Sequence, residues 1–346
     1  MHRRLSPRLA ERITGRGVAL VLLALLAASG CRPESEVKVI RFAHNLDPAH
    51  PVNEAAEVMA QLVADKSGGR LEMKVYPSGQ LCSDRECLEL LQLGSLDLAK
   101  VSTATMENFA PAFRVFGVPY LFRDDAHRFA ALDGAVGQDL LLAGLEERIR
   151  GLAYYDSGSR SFYTVARPAE TPSDLAGLKV RVMESPMSID MVRTFGGSAT
   201  PISFGELYTA LQQGVVDGAE NNPPSFYLSH HYEVARYLVL DEHTSVPDMV
   251  VVGTPSWERL SAQEQTWVRE AAQESAEVER VLWRQATEEA LAAVQEAGVT
   301  VIRPDKAPFV ASVAPMRAAL DADPLLGPLI TRIEAAHADS TTSLAP

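Results

Sequence analysis

Arg181, Asn221 and Asn222 are the side chains of this sequence whose types and positions are best suited to binding a small anion. In residues 178–183 apolar side chains recur at every second position, which predicts a strand with Arg181 on its other face. A guanidinium on rigid backbone can donate two parallel hydrogen bonds to a carboxylate. The two asparagines stand where a strand is expected to end, directly before two prolines that redirect the chain. The sequence therefore predicts a cleft with a cation and two amides at its mouth, which together can hold a small anion.

Helix and strand signals between these residues predict the elements that position them. Ser203 and Glu206 have the spacing of a capping box, in which each side chain bonds to the other residue's backbone N–H. They predict a helix over residues 204–213 that stops at the following glycine. A short strand is then expected to start at residues 215–217 and to end near the two asparagines.

Alternating strand and helix patterns over most of the chain predict an α/β fold. The N-terminal patterns predict strands over residues 37–43, 71–76 and 96–101 and helices over residues 51–66 and 84–93. A second α/β unit is predicted from residue 157 to about residue 241, and an apolar strand returns at residues 249–254. Ser261 opens a helix that continues to about residue 297 and would be roughly 50 Å long. This order predicts a mainly parallel sheet covered by helices, with ligands at the carboxyl ends of the strands.

A series of short motifs runs through the chain in a characteristic order. It includes Asp-Leu-Ala-Gly-Leu-Lys-Val-Arg-Val ending at Val182, Ala-Leu-Gln-Gln-Gly-Val-Val-Asp-Gly-Ala-Glu-Asn ending at Asn221, and shorter motifs at residues 76–81, 94–97, 119–122 and 232–234. Together these motifs resemble the solute-binding proteins of TRAP transporters, the DctP-type family. The resemblance extends from about residue 37 to about residue 336.

The resemblance implies a two-lobed fold like that of periplasmic binding proteins, with a cleft between the lobes and a long helix spanning both. It implies a first lobe of residues 37–156 plus about 244–275. The second lobe would comprise residues 157–243 plus about 276–336. The Ser/Thr/Ala-rich tail, residues 337–346, is expected to be disordered.

The resemblance also implies roles for four side chains of the predicted cleft. Arg181 would form a two-pronged salt bridge with a ligand carboxylate, and Arg160 would be a second arginine directed at the ligand. Asn221 would hydrogen-bond the same carboxylate, and Phe204 would line the cleft as an aromatic wall. Asn222 either contacts the ligand or caps the helix that follows it.

Further ligand-binding candidates are suggested by their positions near predicted strand ends: Glu184, Lys100, His44, Glu86, Asp248 and His243. Glu184 would repel a second carboxylate and accept hydrogen bonds from sugar hydroxyls, or else form an ion pair with a cation such as Arg160. Lys100 would bind a ring oxygen or a hydroxyl, or else extend its charge to solvent from an apolar strand. Glu86 has an alternative role as the capping-box partner of Ser83.

The N-terminus has the pattern of a targeting segment. Arginines precede an apolar run at residues 18–28 that is too short to span a bilayer, which predicts a signal peptide over residues 1–30. Small residues directly before Cys31 predict lipidation of that cysteine and a periplasmic protein anchored to a membrane. Cleavage by an ordinary signal peptidase is the alternative.

Removal of this segment leaves a strongly acidic chain. Residues 1–30 carry five arginines and one glutamate, a net charge of +4, so the net charge changes from −13 to −17. Such an acidic surface argues against nucleic acid and against anionic lipid headgroups as partners. A bound anion must therefore be captured by a local group of cations.

Two cysteines remain, Cys82 and Cys87, at the start of the helix predicted over residues 84–93. They are expected to form a disulfide in an exported protein, since a metal site would need further ligands that the sequence does not place nearby. The sequence carries no nucleophile elbow, zinc-protease motif or phosphate loop. We therefore expect no catalytic residue, no metal and no cofactor.

These observations predict an exported binding protein that passes an organic acid to the membrane subunits of a TRAP permease. One carboxylate and several hydroxyls suit the mixture of arginines, amides and Glu184, so a hexuronate such as glucuronate or galacturonate is the first candidate. A C4-dicarboxylate or another organic acid is the alternative ligand, with Lys100 as a second cationic pole. The alternative functions are a sensory binding subunit and a surface hydrolase or lyase that acts on acidic sugars.

Overall fold

The computed structural model of this protein describes residues 37–337. The predicted signal peptide, the lipidation site Cys31 and the predicted tail beyond residue 337 lie outside the described residues. Within the described part, no helix is both long enough and apolar enough to cross a membrane.

Strands and helices alternate through most of the described residues, which confirms the predicted α/β fold class. The strands are β1 (Lys38–Ala43), β2 (Leu71–Tyr76), β3 (Leu98–Ser102), β4 (Ile149–Tyr155), β5 (Arg160–Thr164), β6 (Lys179–Val182), β7 (Ser198–Pro201), β8 (Gly218–Asn221), β9 (Tyr237–Thr244), β10 (Asp248–Gly253) and β11 (Thr300–Ile302). The α-helices are α1 (Pro51–Ser67), α2 (Asp84–Leu93), α3 (Thr103–Met106), α4 (Asp125–Asp133), α5 (Ala135–Leu141), α6 (Pro186–Thr194), α7 (Leu207–Gln212), α8 (Pro223–Leu228), α9 (Thr254–Glu258), α10 (Ala262–Glu296), α11 (Ala307–Asp321) and α12 (Leu326–Glu334). Short 3₁₀-helices cover Pro111–Gly117, Pro172–Leu175, Phe204–Glu206 and His231–Glu233.

The strands form two sheets, one in each lobe. The first sheet has the order β2-β1-β3-β10-β4, and the second has the order β11-β9-β5-β8-β6-β7. In the first sheet β1 is parallel to β2 and β3. In the second, β6 is parallel to β7 and β8, and β11 is parallel to β9.

Both sheets are mixed, which corrects the prediction of a mainly parallel sheet. The chain crosses between the sheets from β4 to β5, so β5 starts at the edge where β8 and β9 end. β5 therefore runs antiparallel to both neighbours, with Arg160 opposite Thr244 and Ser161 opposite Asn221. The crossing from β9 to β10 makes β10 antiparallel to β3 and β4 for the same reason. These crossings bring strand starts and strand ends together at the cleft.

The long helix α10 packs on both sheets, which confirms the predicted helix that spans the lobes. Val268 and Ala272, from its N-terminal half, are buried against Met59 of α1 in the first lobe. Val294, near its C-terminal end, is buried in a cluster that contains Tyr163 of β5 in the second lobe. One continuous helix therefore contributes to the apolar core of each lobe.

The last helix, α12, belongs by its packing to the first lobe. Leu326, Ile330 and Ile333 are buried in the cluster that also contains Phe113 and Phe116. The predicted boundaries assign this part of the chain to the second lobe, and these contacts do not fit that assignment. We propose that residues 326–334 return to the first lobe because its apolar cluster supplies the surface that covers them.

The start of α2 is held as the sequence predicts. Cys82 and Cys87 form a disulfide, with the two sulfur atoms 2.02 Å apart. Ser83 and Glu86 form the capping box, in which a carboxylate oxygen of Glu86 accepts the backbone N–H of Ser83 at 2.8 Å. Glu86 is exposed at the protein surface, so the capping alternative describes this residue.

The capping box predicted at Ser203 does not form. Ser203 donates its hydroxyl to the carboxylate of Glu206 at 2.6 Å, while the backbone N–H of Glu206 bonds to the carbonyl of Ser203. The reason is that a 3₁₀ turn precedes α7, so the Glu206 N–H has a backbone acceptor. The same Ser-x-x-Glu pattern at Ser261 does form a capping box, at the start of α10.

Two predicted strands are displaced in the structure. β3 begins at Leu98 rather than at residue 96, and the strand expected at residues 215–217 begins at Gly218. Val215 is 49% exposed, and the carboxylate of Asp217 accepts the backbone N–H of Lys179 at 2.8 Å. Residues 215–217 therefore form a turn that secures the start of β6, and the strand follows it.

We expect Ser261→Ala to lower the free energy of unfolding by about 1 kcal/mol, because it removes the side-chain acceptor that caps α10. The matched variant Ser203→Ala removes no cap and should lower it by less than about 0.5 kcal/mol. Urea denaturation of both variants measures the difference. Equal losses would contradict the assignment of the two serines.

Candidate functional site

A polar cleft lies between the lobes, where the two chain crossings meet the strand ends. The space between its walls is about 640 Å³, including the part that is open to solvent. The side chains that line it are Asn45, Leu46, His50, Ser83, Asp84, Lys100, Ser102, Thr105, Ser157, Arg160, Arg181, Met183, Glu184, Ile202, Ser203, Phe204, Asn221, Asn222, Ser225, Asp248 and Trp283. Both lobes contribute, so a bound molecule would touch both.

Arg181 is the cation of the cleft whose charge is least compensated. Its side chain lies on β6 and is only 2% exposed. The Nε atom donates to the carbonyl of Ile202 at 2.8 Å, and the guanidinium lies 6.0 Å from the ring centroid of Phe204. Within residues 37–337 the buried Nη1 atom has no hydrogen-bond partner. Burial lowers the pKa of this guanidinium from its ordinary value, and the nearby acidic groups, Glu220 among them, offset that effect only in part.

Arg160 is also buried, but its guanidinium is already paired. It forms an ion pair with the carboxylate of Glu220 through Nε, and Nη2 donates to Oε1 of the same carboxylate at 3.0 Å and to the Glu220 carbonyl at 2.7 Å. Nη1 donates to Oδ1 of Asn221 at 2.8 Å. Because this oxygen is occupied, the NH₂ group of Asn221 is the end of the amide that remains for a ligand.

His243 lies behind this pair and not in the cleft lining, which corrects its assignment as a cleft residue. Its Nδ1 atom is 2.8 Å from Asp241 Oδ2, and its Nε2 atom is 3.6 Å from Glu220 Oε2. Burial alone would lower the pKa of His243, but the carboxylates of Asp241 and Glu220 raise it to about 9. Burial would likewise raise the pKa of Glu220, but Arg160 and His243 lower it to about 2. The network therefore holds Arg160 in a charged and fixed position.

Asn222 has the capping role that the sequence left open, and it also lines the cleft. Its Oδ1 atom accepts the backbone N–H of Ser225 at 2.9 Å and so caps α8. The side chain is 3% exposed. As with Asn221, the occupied oxygen leaves the NH₂ group as the available donor.

The first lobe contributes a second group of charges, around Lys100. The Nζ atom lies 3.0 Å from Asp248 Oδ2 and 3.4 Å from Asn45 Oδ1. Asp84 is the other acidic neighbour, and its Oδ2 atom accepts the backbone N–H of Ser102 at 3.1 Å. Burial alone would lower the pKa of Lys100, but Asp248 and Asp84 raise it. Burial raises the pKa of Asp84, and the charge of Lys100 lowers it. This part of the cleft therefore places two acidic side chains beside one ammonium.

Glu184 lines the cleft as predicted, without the ion pair to Arg160 that was its alternative role. Among the described residues, the carboxylate that pairs with the Arg160 guanidinium is that of Glu220. The backbone carbonyl of Glu184 accepts from Asn108 Nδ2 at 2.6 Å. Glu184 therefore adds a negative charge to the rim of the cleft.

His44 lies outside the cleft lining, contrary to its predicted role. Its ring is fully buried, with Nε2 3.1 Å from Asn53 Oδ1, and Nδ1 accepts the backbone N–H of Leu46 at 3.3 Å. Burial and the charge of Lys100 lower the pKa of His44 to about 4. The histidine therefore orders the turn after β1. Like Glu86, it has a structural role.

Sequence reasoning missed several residues of the cleft, including Asp84, His50 and Trp283. His50 caps α1 through Nδ1, and its Nε2 atom lies 3.4 Å from Ser225 Oγ in the second lobe. Its ring also packs against Trp283 of α10, with the ring centroids 5.5 Å apart. A cap residue before a proline is a local signal for a helix start. It carries no signal for a contact with the other lobe.

Two α/β lobes joined by crossings and a long helix, with a polar cleft between them, define a solute-binding protein. The sequence profile of the family described as bacterial extracellular solute-binding protein, family 7, matches residues 42–321, and the chain belongs to this family. A solute-binding protein of Chromohalobacter salexigens is 38% identical over 78% of this chain and 80% of its own length.

Solved structures of similar proteins have the same fold. A TRAP periplasmic solute-binding protein from Roseobacter denitrificans, with bound β-D-glucuronate, has a TM-score of 0.83 and 37% identity and covers 87% of this chain and 100% of its own. One from Xanthobacter autotrophicus, with bound β-D-galacturonate, has a TM-score of 0.83 and 38% identity and covers 86% of this chain and 100% of its own. These matches confirm the resemblance to TRAP solute-binding proteins that was noted in the sequence. Proteins of this class are periplasmic and work with TRAP permeases.

The two buried arginines should respond oppositely to replacement by methionine. Arg181→Met removes a buried charge that has no carboxylate partner, so the free energy of unfolding should rise by about 1 kcal/mol. Arg160→Met leaves Glu220 buried without its cation and should lower the free energy of unfolding by about 3–5 kcal/mol. Urea denaturation without ligand measures both, and a large loss in Arg181→Met would contradict the assignment.

His243 should make stability fall at alkaline pH. Its pKa in the folded protein, about 9, lies above the ordinary value of 6.5, so its contribution is complete below pH 6.5 and is lost as the pH rises through 9. The stability advantage of the wild type over His243→Gln should therefore shrink by roughly 3 kcal/mol between pH 6 and pH 10. Urea denaturation of both proteins at several pH values provides the measurement. A constant difference would exclude the charged histidine.

Proposed function

We propose that this protein captures a hexuronate, with glucuronate and galacturonate as the first candidates, and delivers it to a TRAP membrane permease. The observation that carries the proposal is the polarity of the cleft. Arg181, from the second lobe, has a guanidinium nitrogen without a hydrogen-bond partner in residues 37–337, and Asp84 and Asp248, from the first lobe, provide hydrogen-bond acceptors. A molecule with one carboxylate and several hydroxyls matches both sets of groups. The bound sugar acids of the two similar solved structures support the same class.

The carboxylate clamp consists of Arg181 and Asn221, and Arg160 holds the amide in place. Arg181 donates from the guanidinium atoms that the protein leaves unpaired, and Asn221 donates from its NH₂ group. Arg160 directs that NH₂ group toward the ligand, since its own Nη1 occupies the amide oxygen at 2.8 Å. Phe204 and Asn222 complete this end of the site.

Ligand binding favours a closed arrangement of the lobes. The clamp lies in the second lobe, whereas Lys100, Asp84 and Asp248 project from the first, so a ligand that touches both ends stabilises their approach. A shift from mostly open to mostly closed requires about 5.5 kcal/mol of differential affinity. Charge-assisted hydrogen bonds made only in the closed cleft are strong enough to supply it. The closed form is then the one that the permease recognises.

A C4-dicarboxylate fits this cleft less well than a hexuronate. Lys100 was the candidate for a second cationic pole, but Asp248 lies 3.0 Å from its ammonium and Asp84 is a second acidic neighbour. A second carboxylate would therefore meet two acidic side chains beside one ammonium. We further propose that no chemical step takes place on the ligand and that lipid on Cys31 anchors the protein to a membrane.

Thermal-shift measurements on residues 33–346, with hexuronates, aldonates, dicarboxylates, keto acids and sialic acid, test the proposal. A hexuronate at 100 times its dissociation constant should stabilise the protein by about 2.7 kcal/mol. A shift with dicarboxylates alone would overturn the proposed ligand and keep the binding function. No shift with any acid would exclude the function as stated and favour a sensory subunit or an enzyme.

Substitutions at Arg181 test the clamp. Arg181→Ala should weaken hexuronate affinity by about 100-fold or more, and Arg181→Lys by a smaller factor, because lysine keeps the charge but not the planar fork. The control is Arg193→Ala on α6, whose side chain is 67% exposed, and it should bind as the wild type does. Titration calorimetry measures the dissociation constants. Equal affinities in Arg181→Ala and the control would exclude the clamp.

A further inference from the structure

The disulfide between Cys82 and Cys87 encloses a residue of the cleft. Asp84 lies between the two cysteines, in the first turn of α2, and lines the cleft beside Lys100. Both cysteines are buried, at 5% and 1% exposure, in the apolar cluster that contains Leu88 and Val101. The disulfide therefore closes a short loop around Asp84, and its buried sulfur atoms pack in the core beneath the cleft.

Other contacts also hold this segment: Asp84 Oδ2 accepts the backbone N–H of Ser102 at 3.1 Å, and Leu88 and Leu91 of α2 are buried in the core. The loop before it is bonded to the turn after β1, where Ser78 N–H donates to the Leu46 carbonyl at 2.8 Å and Gly79 N–H to the His44 carbonyl at 3.0 Å. Residues 79–81 are exposed. The capping box and the disulfide add to these contacts at the start of α2, directly beside Asp84.

The position of Asp84 determines the charge at this end of the cleft. Asp84, Asp248 and Glu279 are the acidic neighbours of Lys100, and Asp84 and Asp248 line the cleft with it. Burial raises the pKa of Asp84 and Lys100 lowers it, so the ammonium favours the ionised form of this carboxyl. If Asp84 moves away, the cleft loses one of the two acidic groups beside Lys100. The cleft would then lose an acceptor for ligand hydroxyls and also lose part of its repulsion of a second carboxylate.

We infer that the disulfide is a positioning element of the ligand site, which holds Asp84 where it binds ligand hydroxyls and excludes dicarboxylates. The inference rests on the proposed function, because it concerns the end of the same ligand that lies away from the carboxylate clamp. A dithiol reductant would break the S–S bond. It transfers two electrons and two protons to form the thiols of Cys82 and Cys87, and is itself oxidised to a cyclic disulfide. Ligand selectivity would then depend on the thiol state of the protein.

The test compares oxidised protein with protein reduced by dithiothreitol, using D-glucuronate and D-glucarate as probes. D-glucarate has the same number of carbons and a second carboxylate. Reduction should weaken D-glucuronate binding by roughly 3- to 10-fold. It should also lower the ratio of the D-glucarate dissociation constant to the D-glucuronate dissociation constant. The variant Cys82→Ala/Cys87→Ala should behave like the reduced protein without any reductant. Titration calorimetry gives both dissociation constants, and circular dichroism checks that each form is folded.

A second pair of variants separates positioning from general stability. Asp84→Asn should weaken D-glucuronate binding by about 10-fold or more, because it removes a charged acceptor. In that background, reduction should change the affinity by less than about 2-fold, since the residue that the disulfide positions is already altered. Glu89→Gln on the exposed face of α2 removes the same charge outside the cleft and should bind as the wild type does.

The outcomes distinguish this inference from the proposed function. Hexuronate binding that reduction leaves unchanged would overturn the inference and leave the proposed function in place. Equal weakening by reduction in the wild type and in Asp84→Asn would also overturn it, because a purely structural disulfide predicts that result. An oxidised wild type that binds no hexuronate would contradict the proposed function and therefore also the inference, which rests on that function.

Discussion

The cleft depends on the buried guanidinium of Arg181, which pairs with no carboxylate of residues 37–337. Removing the charge of Arg181 from water costs several kcal/mol unless an anion or a set of dipoles replaces the solvent. The contacts of its side chain include the Ile202 carbonyl at 2.8 Å and the face of Phe204, and neither carries a negative charge. An organic anion that enters the cleft would supply the missing counter-charge. The ion pair that Arg181 does not form in the folded protein can then form with the ligand and contribute to the free energy of binding.

The second arginine shows how the same residue type serves a different purpose. Arg160 is as deeply buried as Arg181, but Glu220 neutralises it, and His243 and Asp241 stabilise that carboxylate from behind. The Nη1 atom of Arg160 donates a hydrogen bond to Asn221 Oδ1, which fixes the orientation of the Asn221 amide. Arg181 is therefore the arginine with a charge available to a ligand, and Arg160 is the arginine that holds the Asn221 side chain in position. In the first lobe, the acidic side chains of Asp84 and Asp248 lie beside the ammonium of Lys100, so this part of the cleft offers hydrogen-bond acceptors.

The backbone explains why charges of both lobes meet in one place. Each crossing of the chain starts a strand at the edge where its parallel neighbours end, so β5 and β10 are antiparallel to the strands beside them. Arg160, at the start of β5, is thereby brought beside Asn221, at the end of β8. Asp248, at the start of β10, is brought beside Lys100 of β3 by the same arrangement. The helix α10 contributes side chains to the cores of both lobes.

The helices α1, α2 and α10 and the fold class could be predicted from the sequence, and Arg181 and Asn221 could be named from it as the residues of the proposed clamp. Helix starts, helix ends and apolar periods are set by residues a few positions apart, and the clamp lies in a motif of the same kind. Which charges form ion pairs depends on tertiary contacts and could not be predicted from the sequence. Glu220 neutralises Arg160, and Asp248 neutralises Lys100, through strand neighbours that no local pattern specifies. Electrostatic pairing depends on distances of a few ångströms between segments far apart in the chain, and folding alone sets those distances.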